Sequence, residues 1–323
     1  MSDHTTIVGT NNLSIGYRQQ GKPLCLFENI NISLGAGELV CFMGPNGIGK
    51  SSLIRTLAGL QKSLGGDILI LKDKPVALVL TDKITATHMS VYDLISYGRY
   101  PHLNWNISLT EKDHALINEA ITQLHLEELI NKRLFELSDG QLQMVMIAKA
   151  LAQDTPVLFL DEPTAHLDLN NRVDIMNTLR ELSRTGGKSI LVATHELDLA
   201  LQTADRIWLA THDKKIKEGI PEDLVLDGSF DQVFQFKGFD LKTGKVHHIP
   251  FRNISLQLSG QGHEYLWTKN ALERSGYEIR TTSSISIEVI TAENSTSWSL
   301  AMNQLQVTCH SLGELLKQLR IVH

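Results

Sequence analysis

The residues best suited by type and spacing to do chemistry are Gly44, Pro45, Asn46, Gly47, Ile48, Gly49, Lys50, Ser51 and Ser52. The string has the G-x-x-x-x-G-K-S spacing of a phosphate-binding loop. Its glycines let the backbone curl so that successive N–H groups face inward, a nest for an anion at a helix N-terminus. Lys50 adds a fixed positive charge for the β- and γ-phosphates, and the Ser51 hydroxyl can ligate Mg²⁺. The apolar run Leu39–Met43 before the loop and the helical pattern from Leu53 after it supply the required strand–loop–helix context. The expected ligand is a nucleoside triphosphate.

More chemistry follows downstream in a fixed order. Leu137-Ser138-Asp139-Gly140-Gln141 opens an amphipathic helix that runs through Ala152. Val157–Leu160 is a buried apolar strand ending in Asp161 and Glu162. Asp161 can hold Mg²⁺ opposite Ser51, and Glu162 is placed to orient or deprotonate an attacking water. Ala165-His166-Leu167-Asp168 comes next, and His195 ends another buried strand, Ile190–Ala193. Core packing alone does not explain four such features in this order.

These groups need rigid elements under them. Leu13–Tyr17 and Gln19–Ser33 read as short strands around a turn at Gly21-Lys22-Pro23, with Tyr17 at a strand end. Gly65–Ile70 and Val76–Leu80 read as two further strands. Between Asp82 and Ala152 the pattern turns helical, with capping-box signals at Ser90/Asp93 and Thr110/Asp113. Ile117, Ala120, Ile121 and Leu124 mark one buried helix face. Strands alternating with helices, among them Val173–Ser183, indicate an α/β fold built on a mainly parallel sheet.

With these motifs in hand, residues 7–228 resemble the ATP-binding-cassette ATPases, the nucleotide-hydrolysing subunits of membrane transporters. Gly44–Ser51 corresponds to the family's P-loop, Leu137–Gln141 to its LSGGQ signature and Val157–Glu162 to its second nucleotide motif. Ala165–Asp168 corresponds to the D-loop and His195 to the switch histidine. The segment from Val91 to Pro101, closing on Tyr97-Gly98-Arg99-Tyr100-Pro101-His102, is similar to importers of ferric siderophores, haem and cobalamin.

The resemblance implies a P-loop cassette fold over residues 1–228, with an antiparallel β-subdomain and a helical subdomain at about 82–152. It also implies ATP and Mg²⁺ as ligands and a head-to-tail homodimer. In that dimer each ATP lies between the P-loop of one chain and the Ser138, Gly140 and Gln141 face of the other, and Asp168 reaches the seam. Tyr17 takes the position that stacks on adenine, and His195 contacts the γ-phosphate. Separate transmembrane permease subunits and, indirectly, a substrate-binding protein are the implied partners, with the chain peripheral on the cytoplasmic face of the inner membrane.

The pattern is broken at two points. Thr81 stands where the family has a glutamine that reaches Mg²⁺ and the attacking water; its hydroxyl can do so through a bridging water. Asp139 replaces the first signature glycine and is expected to point outward and cap its helix. Nothing in the sequence accounts for Leu142, where a basic residue is frequent.

Composition narrows the field. A net charge of −6 with no basic stripe argues against nucleic-acid binding. Three separated cysteines give neither a disulfide framework nor a zinc spacing, which fits a reducing cytosol. The thirteen histidines, His247-His248 among them, show no metal-ligand spacing. Neither a signal peptide nor a run of eighteen apolar residues is seen. Other readings are a soluble cassette ATPase of repair or translation, or an ATP-switched regulator without turnover. The first usually carries two cassettes or a coiled-coil insertion, and intact Lys50, Asp161, Glu162 and His195 count against the second.

Residues 229–323 read as a small α+β domain of unassigned role. Ile254, Leu256 and Leu258, then Ile285, Ile287 and Val289, then Trp298, Leu300 and Met302 alternate with polar residues. A helix from Glu264 to Arg274 stops at Gly276, and Ser311/Glu314 cap a last helix. The order suggests a ferredoxin-like domain, with Trp267 and Trp298 in its core.

Overall fold

The computed structural model describes residues 5–19, 22–71, 75–80, 88–103, 108–242, 244–246, 248–292, 295–302 and 305–321. Thr81 and His247 lie outside them. The chain divides into two compact units, Met1–Gln235 and Phe236–His323.

In the first unit, β1 (Thr6–Gln19), β2 (Lys22–Ile30), β3 (Ser33–Gly35) and β4 (Leu39–Met43) lead into α1 (Lys50–Leu57). Next come β5 (Gly65–Ile70), β6 (Val76–Val79), α2 (Val91–Ser96), α3 (Glu111–Gln123) and α4 (Asp139–Leu151). The unit then alternates β7 (Val157–Asp161), α5 (Leu169–Arg184), β8 (Ser189–Ala193), α6 (Leu197–Thr203) and β9 (Arg206–Ala210). It closes on β10 (Ile216–Gly219), α7 (Pro221–Leu226) and α8 (Ser229–Phe234).

Six strands form the central sheet in the order β10-β9-β4-β8-β7-β6. All neighbours pair in parallel except β10, which runs antiparallel on β9. Every residue of β4, β7 and β8 is buried, as expected of parallel strands covered on both faces. The register is level: Phe42 and Asp161 both pair with Ala193, so β4, β8 and β7 end at one edge. Phe27, Phe42 and Trp208 anchor the core beneath that edge.

A second, antiparallel sheet is organised by β1, which pairs with β2, β3 and β5. It corrects the expected pair of short strands. The segment read as Leu13–Tyr17 is one strand of 14 residues, and Lys22 and Pro23 pair with Gln19 and Arg18 instead of forming a turn. Two irregularities in register let so long a strand change partners along its length.

Residues 82–87 and 104–107 of the expected helical segment lie outside the described residues, and its helices α2 and α3 begin at the expected caps. Ser90 and Thr110 each accept from the third residue on, and Asp93 and Asp113 reach back to complete both capping boxes. Ile117, Ala120, Ile121 and Leu124 are buried together. The Tyr97–His102 turn explains its own residues. Gly98 lies so close to α4 that a Cβ there would stand 2.2 Å from the Lys149 carbonyl oxygen. Buried Arg99 donates to Asp113 Oδ1 at 2.8 Å and to the Ala152 carbonyl at 2.8 Å, fastening α3 to the end of α4. Thr110, through hydroxyl and amide, and then Arg99 hold the Asp113 carboxyl well below the usual carboxylate range.

The first unit extends past the expected boundary at 228, because α8 packs on α7 and buries Phe230 and Val233. The second unit opens with a small hairpin, β11 (Phe239–Asp240) and β12 (Lys245–Val246). Then follow β13 (Ser255–Ser259), α9 (Gly262–Arg274), β14 (Glu278–Arg280), β15 (Ile285–Ala292), β16 (Ser295–Met302), β17 (Leu305–Cys309) and α10 (Leu312–Ile321). Their sheet order is β14-β13-β15-β16-β17. The domain is therefore α+β, but its strand order is not ferredoxin-like. The alternation of Trp298, Leu300 and Met302 does not continue in phase to Leu305, which suggests a bulge or turn there, and Met302 pairs directly with Leu305 across a hairpin that extends the meander. Trp298 is core and donates to Thr268 Oγ1 at 2.7 Å, whereas Trp267 is 68% exposed on α9.

Gly98→Ala should destabilise the first unit by roughly 1–3 kcal/mol, because backbone and not a mobile side chain must yield. Urea unfolding at equilibrium measures it, and a midpoint equal to wild type would contradict the close approach.

Candidate functional site

Three loops leave the level edge of the central sheet side by side, and each carries one set of reactive groups. The loop after β4 wraps onto α1, with Gly49 as N-cap at φ 115°, a backbone shape that disfavours side chains. A Cβ at Gly49 would also press on Leu26 and Phe27. Lys50 is 7% exposed, and its Nζ donates to the Gly44 carbonyl at 3.1 Å. Nζ also stands 3.6 Å from Glu162 Oε1.

Asp161 ends β7 and is 2% exposed. Its Oδ1 has no hydrogen-bond partner, while the Ser51 hydroxyl bonds the same carboxylate. Burial pushes the Asp161 carboxyl up; the Ser51 bond opposes this, the neighbouring Glu162 charge adds to it, and Arg55 and Lys50 oppose it. Glu162 follows at φ 51°, an uncommon backbone region for a non-glycine residue, pinned by its N–H donating to the Ala193 carbonyl at 2.8 Å. That twist aims the carboxylate at both flanking loops. Its Oε2 lies 2.6 Å from His195 Nδ1, in the loop after β8.

The result is a line of groups, Gly44 carbonyl, Lys50, Glu162 and His195, beside a buried carboxylate oxygen that accepts no hydrogen bond. An anion nest, a buried ammonium and a candidate base at one strand edge are the parts a phosphoanhydride-cleaving site needs.

Residues 27–165 match the ABC transporter family, and residues 253–320 match the iron ABC transporter C-terminal domain. An uncharacterized ABC transporter ATP-binding protein of Methanocaldococcus jannaschii is 36% identical over 239 residues, covering 71% of this chain and 81% of the relative. The chain belongs to the ABC transporter ATP-binding proteins. The achromobactin transport ATP-binding protein of Dickeya dadantii is 34% identical, over 71% of this chain and 88% of its own length. Among solved structures, a dimeric ATP-binding cassette in a post-hydrolysis state with ADP and Pi superposes with a TM-score of 0.56 at 25% identity, covering 66% of this chain and 98% of that one. The protein is thus an ATPase of the ABC type.

The remaining expected residues of this cassette fall into two groups. Tyr17, at the far end of β1, is 49% exposed, and its hydroxyl shares a hydrogen bond with Ser52 Oγ on α1. The ring therefore stands beside the P-loop with a face open. Ser138 and Gln141 close a capping box on each other: Ser138 Oγ accepts from the Gln141 N–H at 3.3 Å, and Gln141 Oε1 accepts from the Ser138 N–H at 3.1 Å. Ser138, not Asp139, is the cap; Asp139 is exposed in the first turn, where its charge suits the helix dipole. Asp168 caps α5, accepting from the Asn171 N–H at 2.9 Å and from Asn171 Nδ2 at 2.8 Å.

Three residues were missed in the sequence. Asn171 lies over the signature, since a Cβ on Gly140 would meet its amide at 2.5 Å, tying signature to D-loop. Arg172 Nη1 donates to Glu196 Oε2 at 2.7 Å, and Glu196 Oε1 stands 3.6 Å from His195 Nε2. A carboxylate directly after a strand-end histidine was the available signal for Glu196; Asn171 and Arg172 gave none.

Asp161 Oδ1 and the Ser51 hydroxyl form a hard oxygen set that fits Mg²⁺. Thr81, the third expected ligand, lies outside the described residues. In the ion's absence the buried Asp161 charge opposes folding. Because its folded pKa is raised above the ordinary 3.8, that penalty is absent below the unfolded value and grows as pH rises through the folded one. At pH 7 Asp161→Asn should raise the melting temperature of the nucleotide-free protein, by about 2–4 °C for each kcal/mol relieved. The same substitution should abolish Mg²⁺-dependent ATP turnover. Calorimetry at pH 7 paired with a phosphate-release assay reads both effects.

Proposed function

We propose that this protein is the ATP-hydrolysing subunit of an importer for iron chelates, with haem or cobalamin as the neighbouring cargo classes, working through separate permease subunits. Support for the cargo comes from the iron-type C-terminal match and from relatives named for achromobactin, petrobactin and iron(3+)-hydroxamate import. A cobalamin import ATP-binding protein of Halobacterium salinarum is a further relative. Among the described residues no helix is long and apolar enough to cross a membrane, so transport requires a spanning partner. On this reading the chain sits peripherally on the cytoplasmic face.

The observation that carries the chemical reading is Glu162 held between Lys50 and His195 beside the unpartnered Asp161 oxygen. ATP binds with its phosphates against the loop N–H groups and Lys50, and its adenine against Tyr17. Asp161 and Ser51 hold Mg²⁺, which when bound neutralises charge on the phosphate oxygens. Both Glu162 oxygens are engaged, one by Lys50 and one by His195. A γ-phosphate offers the Lys50 ammonium and the His195 ring another anionic acceptor and frees Glu162 to take a proton from water. Ser138 and Gly140 of a second copy close the site head-to-tail, so that ATP joins two chains.

Glu162→Gln should lower kcat by about 10²–10⁴-fold while ATP still binds. Incubated with Mg-ATP, the variant should accumulate as a dimer on size-exclusion chromatography, whereas wild type returns to monomer after turnover. Equal slow hydrolysis by wild type and variant would sink the assignment of Glu162. For cargo, loss of ferric-chelate uptake with cobalamin uptake intact in cells lacking the chain supports the iron reading; the reverse pattern overturns it.

A further inference from the structure

His195 is half exposed, so packing alone does not set its ring. Two carboxylates do. Glu162 Oε2 stands 2.6 Å from Nδ1, and Glu196 Oε1 stands 3.6 Å from Nε2. Two anions flanking one ring repel each other unless one is neutralised nearby. Arg172 supplies that charge: its Nη1 donates to both Glu196 oxygens, at 2.8 and 2.7 Å. Glu196 is fixed further by its N–H donating to Thr194 Oγ1 at 3.0 Å.

Arg172 occupies the first turn of α5, and its N–H donates to the Asp168 carbonyl at 3.0 Å. A continuous path of hydrogen bonds and charges thus runs from the end of the Ala165–Asp168 segment through Arg172 and Glu196 to His195, and on to Glu162 and Lys50. The backbone of that segment is itself twisted, with His166 at φ 67°.

We propose that Arg172 and Glu196 are positioning residues for His195, and that Arg172 couples the place of the Ala165–Asp168 segment to the orientation of the ring. The inference rests on the reading of His195 and Glu162 as the hydrolytic pair. On dimer closure, a shift of the segment moves the start of α5. Arg172 then draws Glu196 with it, and the ring turns from Glu162 toward the phosphate. Hydrolysis is in this way conditional on the seam being formed, through an ion pair on the chain's own side of it.

The test uses the full chain with Arg172→Gln, Glu196→Gln and Arg172→Lys, each measured for kcat, KM for ATP and melting temperature. Both Gln variants should lose about tenfold in kcat, the scale expected of a slightly misplaced group. KM should stay within about twofold, since ground-state binding is untouched. Arg172→Lys should recover part of the loss, because a single nitrogen makes both contacts and an ammonium can replace it. In single-turnover measurements on His195→Ala, adding Arg172→Gln should change the rate by less than about twofold, since the positioned ring is gone. A full tenfold loss in that background, or a KM effect with kcat unchanged, overturns the proposal. Glu162→Gln separates the two levels of failure. If it leaves the wild-type rate unaltered, the reading of the site falls and this inference with it. If it abolishes the rate while Arg172→Gln does not move kcat, the positioning role alone falls.

Discussion

The level register of β4, β8 and β7 is the constraint on which the site depends. Phe42, Ala193 and Asp161 sit in one row across three parallel strands, so the loops that leave them start from the same height. The P-loop, the acidic pair and His195 come from residues far apart in sequence, yet no long side chain has to bridge a gap. A slip of one strand by one residue would turn Asp161 to the opposite face and leave Lys50 facing no carboxylate. Complete burial of all three strands makes such a slip costly, because each apolar residue is already covered on both faces.

Burial then creates the tension that the chemistry uses. Asp161 is deeply enclosed with one oxygen unpartnered, and Glu162 keeps a backbone shape that few residues adopt. Natural chains keep such local costs where a ligand relieves them. The surrounding core, with Phe27, Phe42 and Trp208 in contact beneath the loops, is rigid enough to hold them.

Much of this was legible in the sequence because the motifs are local. A glycine-rich loop between an apolar run and a helical pattern names its own geometry, and Ser90/Asp93 and Thr110/Asp113 signal their caps within four residues. What escaped was non-local. Asn171 and Arg172 look like ordinary polar positions of a helix, and only the fold brings one onto Gly140 and the other onto Glu196. Asp139 was misread as a cap because a carboxylate at a helix start suits either position, and the Ser138–Gln141 reciprocity decides between them. In the second unit, alternation revealed the strands but not their order, which hairpins such as Met302–Leu305 determine. Trp267 shows that helical spacing alone does not separate a core aromatic from an exposed one.

The strand order of the central sheet also governs how the chain is born. β4 lies between β8 and β9, and contacts beside it join residues as far apart as Gly37 and Ser189, 152 positions along the chain. With synthesis at roughly 5–20 residues per second, β4 leaves the ribosome on the order of ten seconds before either flanking strand exists. During that interval Leu39–Met43, wholly buried in the finished protein, has no parallel partner and presents a short apolar strand to whatever is near. The second unit has no such delay there, because β15 pairs with β16 and β16 with β17, each with its immediate successor. The sheet that aligns the reactive loops is thus assembled from strands made far apart in time, and long-range parallel pairing of that kind is intrinsically slow.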